Sequence, residues 1–116
     1  MSDANDVLHY WFETLSPEQR FKRDATVDGE IARRFGALHA RLARGVPEDW
    51  TADARTLLAA IIVLDQFGRN LFRDDRRAFA HDDAARALTE VAIGRGWDAG
   101  LTSEERQFLY MPLMHS

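Results

Sequence analysis

At 116 residues, with 46% hydrophobic and 29% charged side chains, the chain has the size and composition of one compact domain, residues 1–116, able to bury about two-thirds of its unfolded surface without a disulfide or structural metal. The absence of cysteine excludes thiol catalysis, zinc-thiolate and iron–sulfur sites. A formal charge of −4 argues against nonspecific binding to nucleic acid or an anionic membrane, both of which need an excess of Lys and Arg.

The acidic start, Met1 to Asp6, lacks the basic region of a secretory leader. A first helix is predicted from Asn5 or Asp6 to Thr14, with Val7, Leu8, Trp11, Phe12 and Leu15 on one broad face. Ser16-Pro17-Glu18-Gln19 reads as a fresh start, in which Ser16 caps, Pro17 takes the first-turn position and Gln19 closes a capping box over a short turn or 3₁₀ piece. A second long helix opens at Asp24 and places Val27, Ile31, Phe35, Leu38 and Leu42 three and four apart. Gly45 and Pro47 then end it. His39 is expected as a half-exposed surface residue, and Trp11, Phe12, Phe21 and Phe35 as aromatic core.

The third helix begins at Thr51 or Asp53 and contains Leu57 to Leu64, apolar on nearly every side, as suits a central helix. That run is too short for a membrane span. After Gly68 a polar connector, Arg69 to His81, is anchored by Phe72 and Phe79. Asp82 is expected to cap a fourth helix through about Arg95, with Leu88, Val91 and Ala92 inward and Gly94 and Gly96 loosening its end. Thr102-Ser103-Glu104-Glu105 offers a capping box to a fifth helix carrying Phe108, Leu109 and Met111. Pro112 is expected to end or kink it near Met111. No segment alternates as a strand does, so the expected class is all-α: about five helices in antiparallel hairpins, stacked as a bundle or short solenoid.

The segment Leu64 to Arg73 has the most chemical content. On a helical wheel Asp65 falls inside the apolar arc of Leu57, Leu58, Ile61 and Ile62. A buried carboxylate must find a cation, accept several hydrogen bonds or take up a proton. Arg69, one turn on, can grip it with a planar fork, and Gln66 and Asn70 form a second i,i+4 pair. One reading has Asp65, Arg69 and Arg73, with His81 or His115 brought in by the fold, lining a pocket for a small anionic ligand. The other has Asp65 and Arg69 clamping the helix to its connector while Gln66 and Asn70 bond loop backbone. Metal binding is not expected, because His9, His39, His81 and His115 lie on different elements without ligand spacing. Arg73, Arg76 and Arg77, interrupted by Asp74 and Asp75, read as a solvated loop, with a phosphate site as the alternative. The serines sit in no nucleophile elbow.

Five stretches occur in order along the chain: Tyr10-Trp11-Phe12, Phe21-Lys22-Arg23-Asp24, Asp65 to Arg73, Ala78 to Asp82 and Glu105 to Pro112. Together they resemble the bacterial domain of unknown function 924 family. The scarcity of lysine, with Lys22 alone among 15 basic residues, and the abundance of alanine fit a GC-rich bacterial source. The resemblance implies a tetratricopeptide-like superhelical array, cytoplasmic and without a known cofactor, but no known activity. Family members usually carry proline at the position of Gly68, so a more flexible helix-to-loop break is expected here. They also continue through further helices, which would leave the apolar end around Phe108, Leu109, Met111, Leu113 and Met114 to a protein partner or a second copy. The leading expectation is a protein-interaction or scaffold module. The alternative is a small cofactor-independent enzyme or anion binder, with Asp65 as base or anchor and Arg69 and Arg73 as clamps.

Overall fold

The computed structural model describes residues 2–115, and among them there are helices and turns but no strand. Helix α1, Asp3–His9, starts earlier than its apolar pattern suggests because the Ser2 hydroxyl accepts the Asn5 N–H at 3.1 Å. It continues into a π-helical segment, Tyr10–Thr14. Helix α2, Pro17–Phe21, carries the expected box: Ser16 N–H donates to Gln19 Oε1 at 2.9 Å and Gln19 N–H to Ser16 Oγ at 3.2 Å. Asp24 caps α3, Ala25–Ala43, through Thr26 N–H and Val27 N–H. Gly45, at φ +148°, then turns the chain where a side chain would be strained.

Asp53 caps α4, Ala54–Ile61, by accepting the Thr56 N–H. The rod then widens into a π segment, Ile62–Phe67, and closes again as α5, Gly68–Leu71. Leu57 through Leu64 are all buried, and this rod meets α1, α3, α6 and α7. Each fully buried Leu or Ile contributes about 1.5–3 kcal/mol, so the centre of the fold is also its largest apolar contribution. Gly68 lies in ordinary helical conformation, φ −56° and ψ −39°. The flexible break expected there does not occur, because the helix simply narrows from π back to α.

Helix α6, Asp82–Gly94, buries Ala85, Leu88, Thr89 and Ala92, while Val91, expected inward, is exposed. Helix α7, Ser103–Met114, opens on the Thr102/Glu105 box and runs through Pro112 instead of ending there. Proline removes the N–H that would bond the Phe108 carbonyl and crowds the preceding turn. The neighbouring Leu109 carbonyl accepts the Thr89 hydroxyl of α6 at 2.7 Å, which gives that disturbed turn an outside partner. Counting α4, its π segment and α5 as one rod, the described residues form six helices.

The aromatic core differs in membership from the expected one: Tyr10, Phe67 and Phe108 join it, Phe12 is only partly buried against it, and Phe21 lies outside. Trp11 and Phe35 are buried, and Trp11 meets Phe67 and Phe108 edge-on. Phe21 is 58% exposed and covers Phe108 with one face of its ring, and Phe79 is 59% exposed instead of anchoring its loop. No described helix is long and apolar enough to cross a membrane.

Candidate functional site

The central rod delivers Asp65 to the middle of the molecule with no exposed surface. Its Oδ1 receives Arg69 Nη1 at 3.2 Å and lies 2.8 Å from His115 Nδ1, and its Oδ2 receives Gln66 Nε2 at 2.9 Å. Three partners satisfy a carboxyl group that would be costly to bury without them. Arg69 does not grip Asp65 with both arms. Its Nη1 also donates to the Asp65 carbonyl at 2.7 Å, and its two-armed contact goes to Asp82, at 3.1 and 3.2 Å. Asp82 can accept it because His81, not Asp82, occupies the cap position of α6, without a capping hydrogen bond from its side chain.

Gln66 and Asn70 do not meet. Asn70 Nδ2 donates instead to Asp28 Oδ1 at 2.8 Å, and the same carboxylate receives Arg73 through Nε at 2.6 Å and Nη2 at 2.7 Å. Burial pushes the Asp28 carboxyl up, but the hydrogen bonds from Arg73 and Asn70 outweigh it and hold the group below its ordinary value. Arg73 is raised by the same pair. The loop cations are also partnered: Arg23 forks onto Asp74 and Arg77 onto Asp75.

Of the residues singled out from sequence, the fold thus joins Asp65, Gln66, Arg69 and His115 directly and links Asn70 and Arg73 through Asp28. His115 arrives because α7 persists past Pro112. His81 is placed elsewhere: its ring lies 5.5 Å from that of His39, in an apolar cleft of about 410 Å³ with Phe72, Leu71, Gly36 and Ala40. His39 is buried, at 4% exposure, contrary to the half-exposed position expected. Burial and then the neighbouring His81 keep its imidazole below the ordinary range, and its Nε2 has no hydrogen-bond partner.

Beside the Asp65 cluster opens a cavity of about 210 Å³, lined by Arg20, Lys22, Arg69, Arg73, Gln66, Asn70 and His115, with Phe21 and Met111. Among the described residues no carboxylate lines it. The acidic partners stand behind the cations, where they fix guanidinium planes: Arg20, for example, is held by Glu104 and by the Trp11 carbonyl. A second cleft, about 460 Å³, shares Arg69 and Arg73 and adds Arg23, Arg76 and Phe79 together with the carboxylates of Asp74 and Asp75. Asp65, sealed from solvent, is placed to anchor these groups and cannot itself meet a substrate as base. Among the described residues no three His, Asp or Glu side chains converge as metal ligands would.

Sequence reasoning missed Asp28 and Asp82 as members. Asp28 lies 42 and 45 positions from its two partners and reads as an ordinary first-turn acid.

A family model described as a bacterial protein of unknown function (DUF924) matches residues 7–116. A solved structure of a protein of unknown function from Agrobacterium tumefaciens is similar at 34% identity and a TM-score of 0.92, over 97% of this chain and 64% of that one. The chain therefore spans just under two thirds of that relative's length. No curated protein matches.

Proposed function

Since the chain belongs to the DUF924 family of bacterial proteins of unknown function, a membership that names no activity, we propose from the site itself that it binds a small anionic ligand in the cavity beside Asp65. The carrying observation is the donor set of that cavity's wall: Arg20, Lys22, Arg69 and Arg73 line it with two amides and His115, and among the described residues no acid does. Each of these cations is itself paired, Arg20 with Glu104, Lys22 with Glu18, Arg69 with Asp65 and Asp82, and Arg73 with Asp28, so what the wall offers a ligand is a set of oriented donors. The cavity's volume suits a phosphate- or carboxylate-sized group, and Arg73, pinned by Asp28 through Nε and Nη2, keeps Nη1 without a partner among the described residues. A guanidinium already held in plane loses little freedom on gripping an anion.

Thermal melts with inorganic phosphate and with succinate, on the wild type and on Arg73→Ala, test this. A ligand at a hundred times its Kd adds about 2.7 kcal/mol of stability. The expected result is a ligand-induced rise in Tm for the wild type that Arg73→Ala loses, each variant being compared with its own unliganded melt. Equal shifts in both, or none in either, count against the pocket.

The interaction-module reading, with its tetratricopeptide-like array, is supported by exposed Val91, Ile93 and Met114. It ranks second because single exposed apolar residues are common on any surface. A monomeric mass by light scattering at micromolar concentration would remove its self-pairing form. The cytoplasm is the proposed location, testable by fractionation.

A further inference from the structure

A buried carboxylate that holds a pocket-lining imidazole does more than close a hydrogen-bond network. Asp65 Oδ1 already receives an Arg69 N–H and so acts as an acceptor, which leaves His115 Nδ1 to carry the proton in their 2.8 Å contact. In the neutral ring the lone pair then belongs to Nε2, on the far side from Asp65. His115 lines the basic cavity with its side chain 24% exposed, and its Nε2 makes no hydrogen bond with the described residues. Asp65 is itself fixed by Gln66 and Arg69. An acceptor nitrogen is thereby presented, in one tautomer and one orientation, to a space walled by cations.

Resting on the anion-pocket reading above, we infer that Asp65 and His115 form a proton-transfer pair and that the pocket hydrolyses phosphodiesters. The chain has no cysteine, and among the described residues no serine, threonine or carboxylate lines the cavity; the nucleophile in this scheme is water. His115 Nε2 takes a proton from that water as its oxygen bonds to phosphorus. The bond from phosphorus to the departing alcohol oxygen breaks with its electron pair, and that oxygen takes a proton from solvent. The imidazolium returns its own proton to solvent, and the products are a phosphomonoester and an alcohol. Arg73, whose Nη1 has no partner among the described residues, is available to the extra negative charge that develops on the non-bridging oxygens. His115 is the catalytic residue in this scheme, and Asp65 is a positioning residue that acts through it.

Bis(4-nitrophenyl) phosphate serves as the probe, with hydrolysis followed by 4-nitrophenolate absorbance and binding followed by titration calorimetry. His115→Ala is expected to lose at least about 100-fold in kcat/KM, the usual scale of acid–base catalysis, and to regain part of it with added imidazole, which a purely structural role would not allow. Asp65→Asn is expected to lower kcat about tenfold or more while KM stays within about twofold. Because that variant changes a buried group, its fold is checked by circular dichroism, and the imidazole rescue stands without it. Hydrolysis unaffected by His115→Ala overturns the inference. Binding of the diester without turnover overturns it as well and leaves the anion pocket standing, whereas no binding of diester or phosphate removes the pocket itself.

Discussion

Two clefts draw on the same connector and treat their ionisable groups in opposite ways. Around Asp65, the carboxylates Asp65, Asp28 and Asp82 each receive guanidinium or amide donors, and Asp28 stays charged below its ordinary range. Around His39, the walls are Ala32, Gly36, Ala40, Leu71 and Phe72, the ionisable neighbours are His81 and Arg77 and include no carboxylate among the described lining residues, and burial keeps the imidazole below its ordinary range. Burial alone thus does not decide charge. The partner does, and a partnered cluster can hold cations in fixed planes toward a ligand where an unpartnered one can only lose its charge.

The comparison breaks first at Arg69. Removing it by Arg69→Ala strips a donor from sealed Asp65 and the fork from Asp82, and is expected to cost about 3–5 kcal/mol, roughly 10–20 °C in Tm. A melt within a degree or two of wild type would mean that the cluster does not depend on its central cation.

Acid separates the two clefts next. His39 and Asp28 both have folded values below their unfolded ones, so the unfolded chain binds more protons as pH falls. The stability each contributes is present above its unfolded value and is lost as pH drops through the folded one. Loss from His39 begins below about pH 6.5 and loss from Asp28 below about pH 4. His39→Leu is expected to flatten the first step in Tm measured from pH 7 to pH 5 and leave the second. It should also add about 1 kcal/mol at neutral pH, since it removes a buried nitrogen without a partner. A first step that survives the substitution would assign it to another group.

The smallest effect lies between the clefts. A methyl at Gly68 would sit 3.5 Å from the Ala78 carbonyl and from His39 Nε2, an ordinary contact, in backbone that is already helical. Gly68→Ala is therefore expected to stabilise by about 0.5–1 kcal/mol in chemical denaturation. A loss of stability would show that the junction of the π segment and α5 needs freedom after all.

The sequence carried the local parts of this picture. Caps at Ser16, Asp24 and Thr102 were readable because each is a contact across two or three residues, and Asp65 with Arg69 because one helix turn joins them. What escaped was non-local. Asp28 meets its partners across a gap that no periodicity reports, and Asp82 looked like a cap because the residue that takes that place, His81, is a poor capper. The persistence of α7 past Pro112 depends on a neighbouring helix, and with it the arrival of His115. His39 could have been found: Phe35, His39 and Leu42 are spaced four and three, the spacing of the buried face, and only its polarity argued for the surface.

The π segment at Ile62–Phe67 acts as an insertion in helical phase. A straight α-helix turns about 100° per residue, so one wide turn shifts every later side chain around the axis relative to every earlier one. The residues before it are free to satisfy the core, and Arg69, Asn70 and Arg73 after it are free to face Asp28 and Asp82. Removing a single residue from this stretch would leave the composition almost untouched and turn the charged half of the rod to the wrong azimuth.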